Sequence, residues 1–147
     1  MENIFESAKW IWAKNNAIRG DVVYFRKVFD IAKPPKTAVA FVAAQSRYFL
    51  SVNGKSVVTD GGMNGCYDEI DIARYLVKGS NVVSAVAVFD GERGTNIKSA
   101  DCAGFIFCCK AVDVYSDSCF TVFPNGAFTK SEDVVSSGHR AGTNIRY

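Results

Sequence analysis

The sequence predicts an all-β domain of the sandwich type. Its apolar segments are short and either alternate with polar residues or run uninterrupted, and Gly, Asn, Asp or Pro separates them at intervals of about ten residues. The 147 residues, 48% of them hydrophobic and 22% charged, suffice for one soluble domain with a full core. Such a chain needs neither a metal nor a disulfide to stay folded.

Alternation and turn residues define the individual strands. In Arg47–Val52 every second side chain is apolar, so one face should be core, and Asn53-Gly54 should fold the next strand straight back. Val82–Phe89 is apolar on both faces, which predicts a central, covered strand. The predicted strands are Trp10–Ala13, Val22–Ile31, Thr37–Ala43, Arg47–Val52, Lys55–Thr59, Val82–Phe89, Gly104–Val114 and Cys119–Phe123, with a weaker one near Phe128.

One segment, Asp71–Gly79, carries helix signals. Asp71 can cap the first amides, Lys78 lies at the negative end, and Gly79 supplies a left-handed exit. A helix of barely two turns cannot stand alone, so we expect its apolar residues to lie across an open end of the sandwich.

Charge and chain composition argue against nucleic acid and membrane partners. The net charge is +2 and the basic residues are scattered, so no stripe exists to neutralise phosphates. Residues 129–147 predict a polar C-terminal tail, which contains the densest basic stretch, Arg140–Arg146. No signal peptide and no run of eighteen apolar residues occurs, which favours a cytoplasmic location.

The cysteines predict no metal site. There are five, Cys66, Cys102, Cys108, Cys109 and Cys119, and no CxxC pair occurs among them. Two of them fall inside an apolar run, where small buried thiols behave as hydrophobic residues. An odd number of reduced thiols favours a reducing compartment. Gly-rich segments match no nucleotide-binding motif, so no cofactor is predicted.

The sequence predicts no catalytic residue. The single histidine, His139, lies in the polar tail with no evident partner. Asp68, Glu69 and Asp71 could in principle supply an acid and a base for glycosidic chemistry. Capping and the helix dipole explain these carboxylates more simply.

Aromatic residues suggest sugar binding, because sugars stack on aromatic rings while polar side chains bond their hydroxyls. Trp10 and Trp12 share one strand face, which suits a stacking platform or, more simply, core packing. The candidate carbohydrate-binding residues are Trp12, Arg26, Tyr48, Tyr67 and Asp68.

Three blocks together resemble the N-terminal β-sandwich module of bacterial α-L-rhamnosidase-type glycoside hydrolases. The first joins Trp10-Ile11-Trp12 to Tyr24–Phe29, and the second is Arg47–Lys55. The third, Tyr67–Val83, contains a D-I-x-x-x-L-x-x-G-x-N-x-V pattern similar to galactose-binding-like jelly rolls of several glycosidases. Order and spacing also agree over about residues 8 to 112, although Thr59–Met63 departs from the Gly-Pro loop usual at that point.

This resemblance implies a galactose-binding-like jelly roll with a non-catalytic role. In such enzymes the catalytic acids belong to a separate helical barrel later in the polypeptide, so none is carried over. The resemblance implies that residues 1–147 form one accessory domain of a larger multidomain glycosidase, packing on the catalytic domain of the same polypeptide and assisting binding of a rhamnose-containing glycan. Two alternatives stay open: an independent lectin-like carbohydrate-binding module and a purely structural interaction domain.

Overall fold

Two antiparallel sheets face each other in a β-sandwich, as expected. The computed structural model describes residues 4–13, 17–18, 20–62, 66–89 and 103–124. The five-stranded sheet has the order β4-β3-β6-β1-β9 and the four-stranded sheet the order β5-β2-β7-β8. The strands are β1 Asp21–Ile31, β2 Val39–Ala44, β3 Arg47–Val52, β4 Lys55–Gly61, β5 Asp68–Asp71, β6 Gly79–Phe89, β7 Phe105–Cys109, β8 Val114–Tyr115 and β9 Thr121–Pro124.

The core fills the space between the sheets, because alternate residues of each strand point inward. The rings of Phe25 in β1 and Phe105 in β7 stack with centroids 4.7 Å apart across this space. The largest fully buried side chains are Tyr48, Phe25, Phe105, Phe107, Leu50, Ile72, Val23, Val42, Val52, Val83, Val114 and Asn81.

The predicted hairpin and central strand are both present. Asn53 and Gly54 have φ of 51° and 76°, the left-handed pair that a tight two-residue turn requires. Strand β6 lies between β3 and β1 at the centre of its sheet. Its inward residues are buried, whereas Val82 and Val86 on its other face are only half-buried. The outer face of this sheet is therefore less covered than the sequence predicts.

One predicted strand is interrupted, and another is reduced to a bridge. Gly104–Val114 is interrupted by a 3-10 turn at Lys110–Val112 and by Asp113, whose φ of 56° reverses the chain so that β8 pairs antiparallel with β7. No glycine marks this reversal in the sequence, because aspartate itself tolerates the left-handed conformation. Trp10–Ala13 forms only a single bridge, in which Ile11 and Phe105 exchange backbone hydrogen bonds.

The predicted helix is shorter than expected, a single 3-10 turn at Ala73–Tyr75. Asp71, where the predicted helix begins, belongs to strand β5. Near the predicted end of the helix, the Asn81 side chain bonds backbone groups that a helix would use. The buried Asn81 amide donates to the carbonyls of Val77 and Gly79, both at 2.8 Å, and its oxygen accepts from Val77 N–H at 2.9 Å. These bonds replace the further helical turns that the sequence predicts.

An N-terminal segment lies against the outer face of the four-stranded sheet. The Ser116 hydroxyl donates to the Lys9 carbonyl at 2.7 Å and accepts from Phe107 N–H at 3.0 Å. Nearer the start, the buried Cys108 thiol donates to the Ile4 carbonyl at 3.4 Å. These bonds fasten the segment to β7 and to the chain beyond β8.

Several sequence predictions fall outside the described residues: the strand near Phe128, the tail 129–147, His139 and Cys102. Within the described ranges no helix is long and apolar enough to cross a membrane.

Candidate functional site

The outer face of the five-stranded sheet, here called the open face, carries a row of apolar side chains. The register aligns four residues on β9, β1, β6 and β3, one from each strand. Because facing residues in adjacent strands point to the same side, these side chains form one band across the sheet. The band consists of Phe123, Tyr24, Val86 and Phe49.

A polar row runs beside the apolar band, two residues further along β1. Arg26 faces Ser84 on one side and Thr121 on the other, while Ser51 faces both Ser84 and Ser56. The hydroxyls of Ser51 and Ser84 are 3.0 Å apart and bond each other. The open face therefore combines aromatic surface with hydroxyls and one guanidinium.

The two rows line an open depression of about 340 Å³. Phe49 is 37% exposed and Phe123 is 61% exposed, so both rings offer surface to a ligand. Three inter-strand spacings separate β9 from β3, so the band spans roughly 14 Å. A surface of this length and composition can stack pyranose rings and bond their hydroxyls.

Tyr48 and Asp68, two of the predicted sugar contacts, lie instead between the sheets. The Tyr48 ring is fully buried, and its hydroxyl donates to Asp68 at 2.6 Å. Burial, and secondarily the Asp68 carboxylate, raises the pKa of Tyr48 far above its usual range, so this hydroxyl stays protonated. The same carboxylate oxygen accepts from Gly62 N–H at 3.1 Å. Both groups are thus occupied in joining the sheets.

The two other aromatic candidates lie on different surfaces. Trp12 packs against the core, with its ring centroid 5.9 Å from that of Phe25, and its buried indole nitrogen has no hydrogen-bond partner among the described residues. Tyr67 is 47% exposed and meets the ring of Phe41 edge-on, beside the four-stranded sheet. Trp10 is 52% exposed and lies beside Gly104.

Of the predicted site residues, the structure places Arg26 alone on the open face. The sequence reasoning missed the aromatic band, Tyr24, Phe49 and Phe123. One signal was available: in β3, Phe49 alternates with core residues and so had to point away from them. The cross-strand alignment with Tyr24 and Phe123 could not be predicted, because it depends on the sheet order.

The acidic cluster near β5 supports the sheet. The Asp71 carboxylate accepts from the backbone N–H groups of Ala38 and Ala73, both at 2.9 Å. These two bonds hold the pKa of Asp71 below its usual value of 3.8. Across the described ranges, no group of three or more His, Cys, Asp or Glu side chains could hold a metal ion.

The fold defines a small β-sandwich module with one open sheet face. No family model matches the chain, and no curated protein matches it either. Solved structures do match. The GH78 family rhamnosidase of Bacillus sp. GL1 is 25% identical with a TM-score of 0.68, over 83% of this chain and 14% of that enzyme.

Two further similarities show the same fold. The α-L-rhamnosidase of Streptomyces avermitilis, complexed with L-rhamnose, is 21% identical with a TM-score of 0.62, over 81% of this chain and 12% of the enzyme. The Pleurotus ostreatus lectin is 23% identical with a TM-score of 0.59, over 81% of this chain and 35% of the lectin. The chain is therefore a small module related in fold to domains of α-L-rhamnosidases, and it spans only a small part of those enzymes.

Proposed function

We propose that this chain is a non-catalytic accessory module of an α-L-rhamnosidase-like glycoside hydrolase. One observation carries the proposal: each rhamnosidase match is confined to a small share of the enzyme, 12% in Streptomyces avermitilis and 14% in Bacillus sp. GL1. This coverage supports a role for the chain as one module of a larger polypeptide. Its partner is the catalytic domain of that polypeptide, against which it packs.

In this role the module assists binding of a rhamnose-containing glycan through its open face. Phe49 and Phe123 supply exposed rings for stacking, and the serine hydroxyls beside them supply hydrogen bonds. This assignment replaces the buried Tyr48 and its half-buried hydrogen-bond partner Asp68 with groups that a ligand can reach.

Saturation-transfer NMR on the purified chain tests the proposal. We expect signals from L-rhamnose or rhamnose-containing oligosaccharides and no hydrolysis of an aryl α-L-rhamnoside. Phe49→Ala should weaken the signals, whereas Tyr67→Ala, a comparably exposed aromatic beside the other sheet, should not. Turnover that Asp68→Asn or Glu69→Gln abolishes would overturn the non-catalytic role.

An independent lectin-like module is the second candidate, favoured by the match to the Pleurotus ostreatus lectin. Oligosaccharide affinity separates the two. A lectin-like module binds multi-sugar ligands tightly on its own, whereas an accessory module binds weakly until its catalytic domain is present. Silence across a panel of rhamnose, galactose and glucose ligands, from a folded protein, would favour a purely structural interaction domain.

A further inference from the structure

We propose that the open face takes an acidic saccharide, a glycan bearing a uronic acid, whose carboxylate binds Arg26. This inference rests on the sugar-binding role proposed for the same face. It goes further because it assigns the ligand a charge and assigns one residue to recognise it.

Charge complementarity identifies this ligand class. Arg26 is the one charged residue among the described residues that line the depression, and no carboxylate lies among them. No described residue forms a hydrogen bond or ion pair with its guanidinium. The lining residues are Tyr24, Phe25, Arg26, Phe49, Leu50, Ser51, Ser56, Val58, Ser84, Ala85, Val86 and Phe123.

The geometry places the cation where a sugar acid can use it. Arg26 follows Tyr24 by two residues on β1, so the two side chains stand on the same side of the sheet, roughly 7 Å apart at the backbone. A pyranose ring stacked on the aromatic band can therefore direct its carboxylate toward the guanidinium. Arginine binds carboxylates with two parallel hydrogen bonds, which a neutral hydroxymethyl group cannot match.

An apolar protein partner fits this face less well. Seating one would bury the Arg26 guanidinium and the Ser56 hydroxyl without new partners, and the bonded Ser51–Ser84 hydroxyl pair would gain none. Burying a charge or a hydroxyl without a hydrogen bond is unfavourable. A hydroxylated anionic ligand instead supplies acceptors and donors to the whole polar row.

A pair of ligands that differ only at one carbon tests the inference. Methyl β-D-glucuronide and methyl β-D-glucoside are titrated into the ¹⁵N-labelled chain at low salt, and their dissociation constants are compared. We expect the glucuronide to bind at least about tenfold more tightly, the effect of one hydrogen-bonded charge pair. This preference should shrink as salt is added.

Single substitutions then test whether Arg26 causes the preference for the glucuronide. Arg26→Gln should reduce the two affinities to within about twofold of each other, and Arg26→Lys should keep part of the preference. Lys33→Gln removes one positive charge from an exposed position beyond the end of β1, outside the lining of the depression, and it should leave the preference intact.

The remaining outcomes overturn the inference in distinguishable ways. Equal affinity for the two sugars would reject the acidic ligand and leave the proposed sugar-binding role standing. Binding of neither sugar would also reject the acidic ligand, whereas the proposed sugar-binding role would fall only if L-rhamnose and its oligosaccharides fail to bind as well. Self-association that Phe123→Ala relieves would then make the open face a protein interface. A preference that survives in Arg26→Gln would assign the anion to another site.

Discussion

The hydroxyl of Tyr48 on the five-stranded sheet donates a 2.6 Å hydrogen bond to the carboxylate of Asp68 on the four-stranded sheet. Asp68 also accepts from Gly62 N–H, which directly follows β4. One carboxylate therefore holds both a side chain of the five-stranded sheet and the start of the connection between the two sheets. The pair is a structural link between the two sheets, although the sequence had suggested both residues as sugar contacts.

Removing this link should destabilise the fold. We expect Tyr48→Phe to lower the free energy of unfolding by about 1 to 3 kcal/mol, because it deprives Asp68 of a buried hydrogen-bond donor. Asp68→Ala should cost at least as much, and the double variant less than the sum. Urea unfolding measures each value. Tyr67→Phe, which removes a hydroxyl from an exposed ring, should stay within about 0.5 kcal/mol of wild type.

Gly61 should tolerate no side chain. A Cβ there would lie 2.4 Å from the buried Tyr48 ring, so Gly61→Ala forces an overpacked core and should cost about 3 kcal/mol. At Gly54 nothing lies within 4 Å of a Cβ, and only the positive φ opposes a substitution. Gly54→Ala should therefore cost about 1 kcal/mol. Equal losses in thermal or urea unfolding would contradict this packing argument.

Asn81 should be among the most sensitive polar positions. Its side chain is fully buried and makes four hydrogen bonds, two as donor to Val77 and Gly79 and two as acceptor from Val77 and Asn53. Asn81→Ala leaves those partners unsatisfied and should lower stability by about 3 kcal/mol or more. The exposed neighbour provides the control, since Ser80→Ala should change stability by less than about 0.5 kcal/mol.

Asp71 should make stability depend on acid pH. The backbone N–H groups of Ala38 and Ala73 lower the folded-state pKa of Asp71. The ionised carboxylate therefore stabilises the fold at pH values above its ordinary pKa of 3.8. That contribution is lost as the pH falls below 3.8 through the lowered pKa. Urea unfolding of wild type and Asp71→Ala from about pH 6 to about pH 2 should show two curves that converge in acid. A constant gap would contradict the linkage; Glu69→Ala controls for removing a carboxylate from the same strand.

The cysteine thiols should differ in their reactivity according to their burial. Burial raises the pKa of Cys108, and that of Cys109 to about 11, so both stay protonated and shielded at about pH 8. Cys66 and Cys119 are exposed. In a Cys102→Ser background, iodoacetamide should label the exposed pair in the native protein and the buried pair only in denaturant. Prompt native labelling of Cys109 would contradict the described core.

The sequence predicted the parts of the fold that depend on local chemistry. Asn53-Gly54 determines its own turn, because both residues accept positive φ. The alternation in Arg47–Val52 correctly predicted one core face, and the structure shows this face to be Tyr48, Leu50 and Val52. The prediction failed at the helix, where the Asn81 side chain, bonded by Asn53 of the β3–β4 turn, takes up the backbone groups of Val77 and Gly79 and leaves one 3-10 turn.

The candidate site shows the same division. Arg26 could be selected from the sequence as a polar residue on an exposed strand position, but Phe49 and Phe123 are far apart in sequence. They join one band only because β1 and β6 lie between their strands.

By itself, then, the sequence determined that the chain alternates apolar and polar residues and forms a sandwich, since periodicity and turn residues act over a few positions. Only the tertiary structure decided which aromatic residues are reachable. It buried Tyr48 against Asp68 and left Phe49 and Phe123 exposed beside Arg26. The physical reason is that burial depends on strand order and on which sheet face another segment covers, and both are set by contacts between residues distant in the chain.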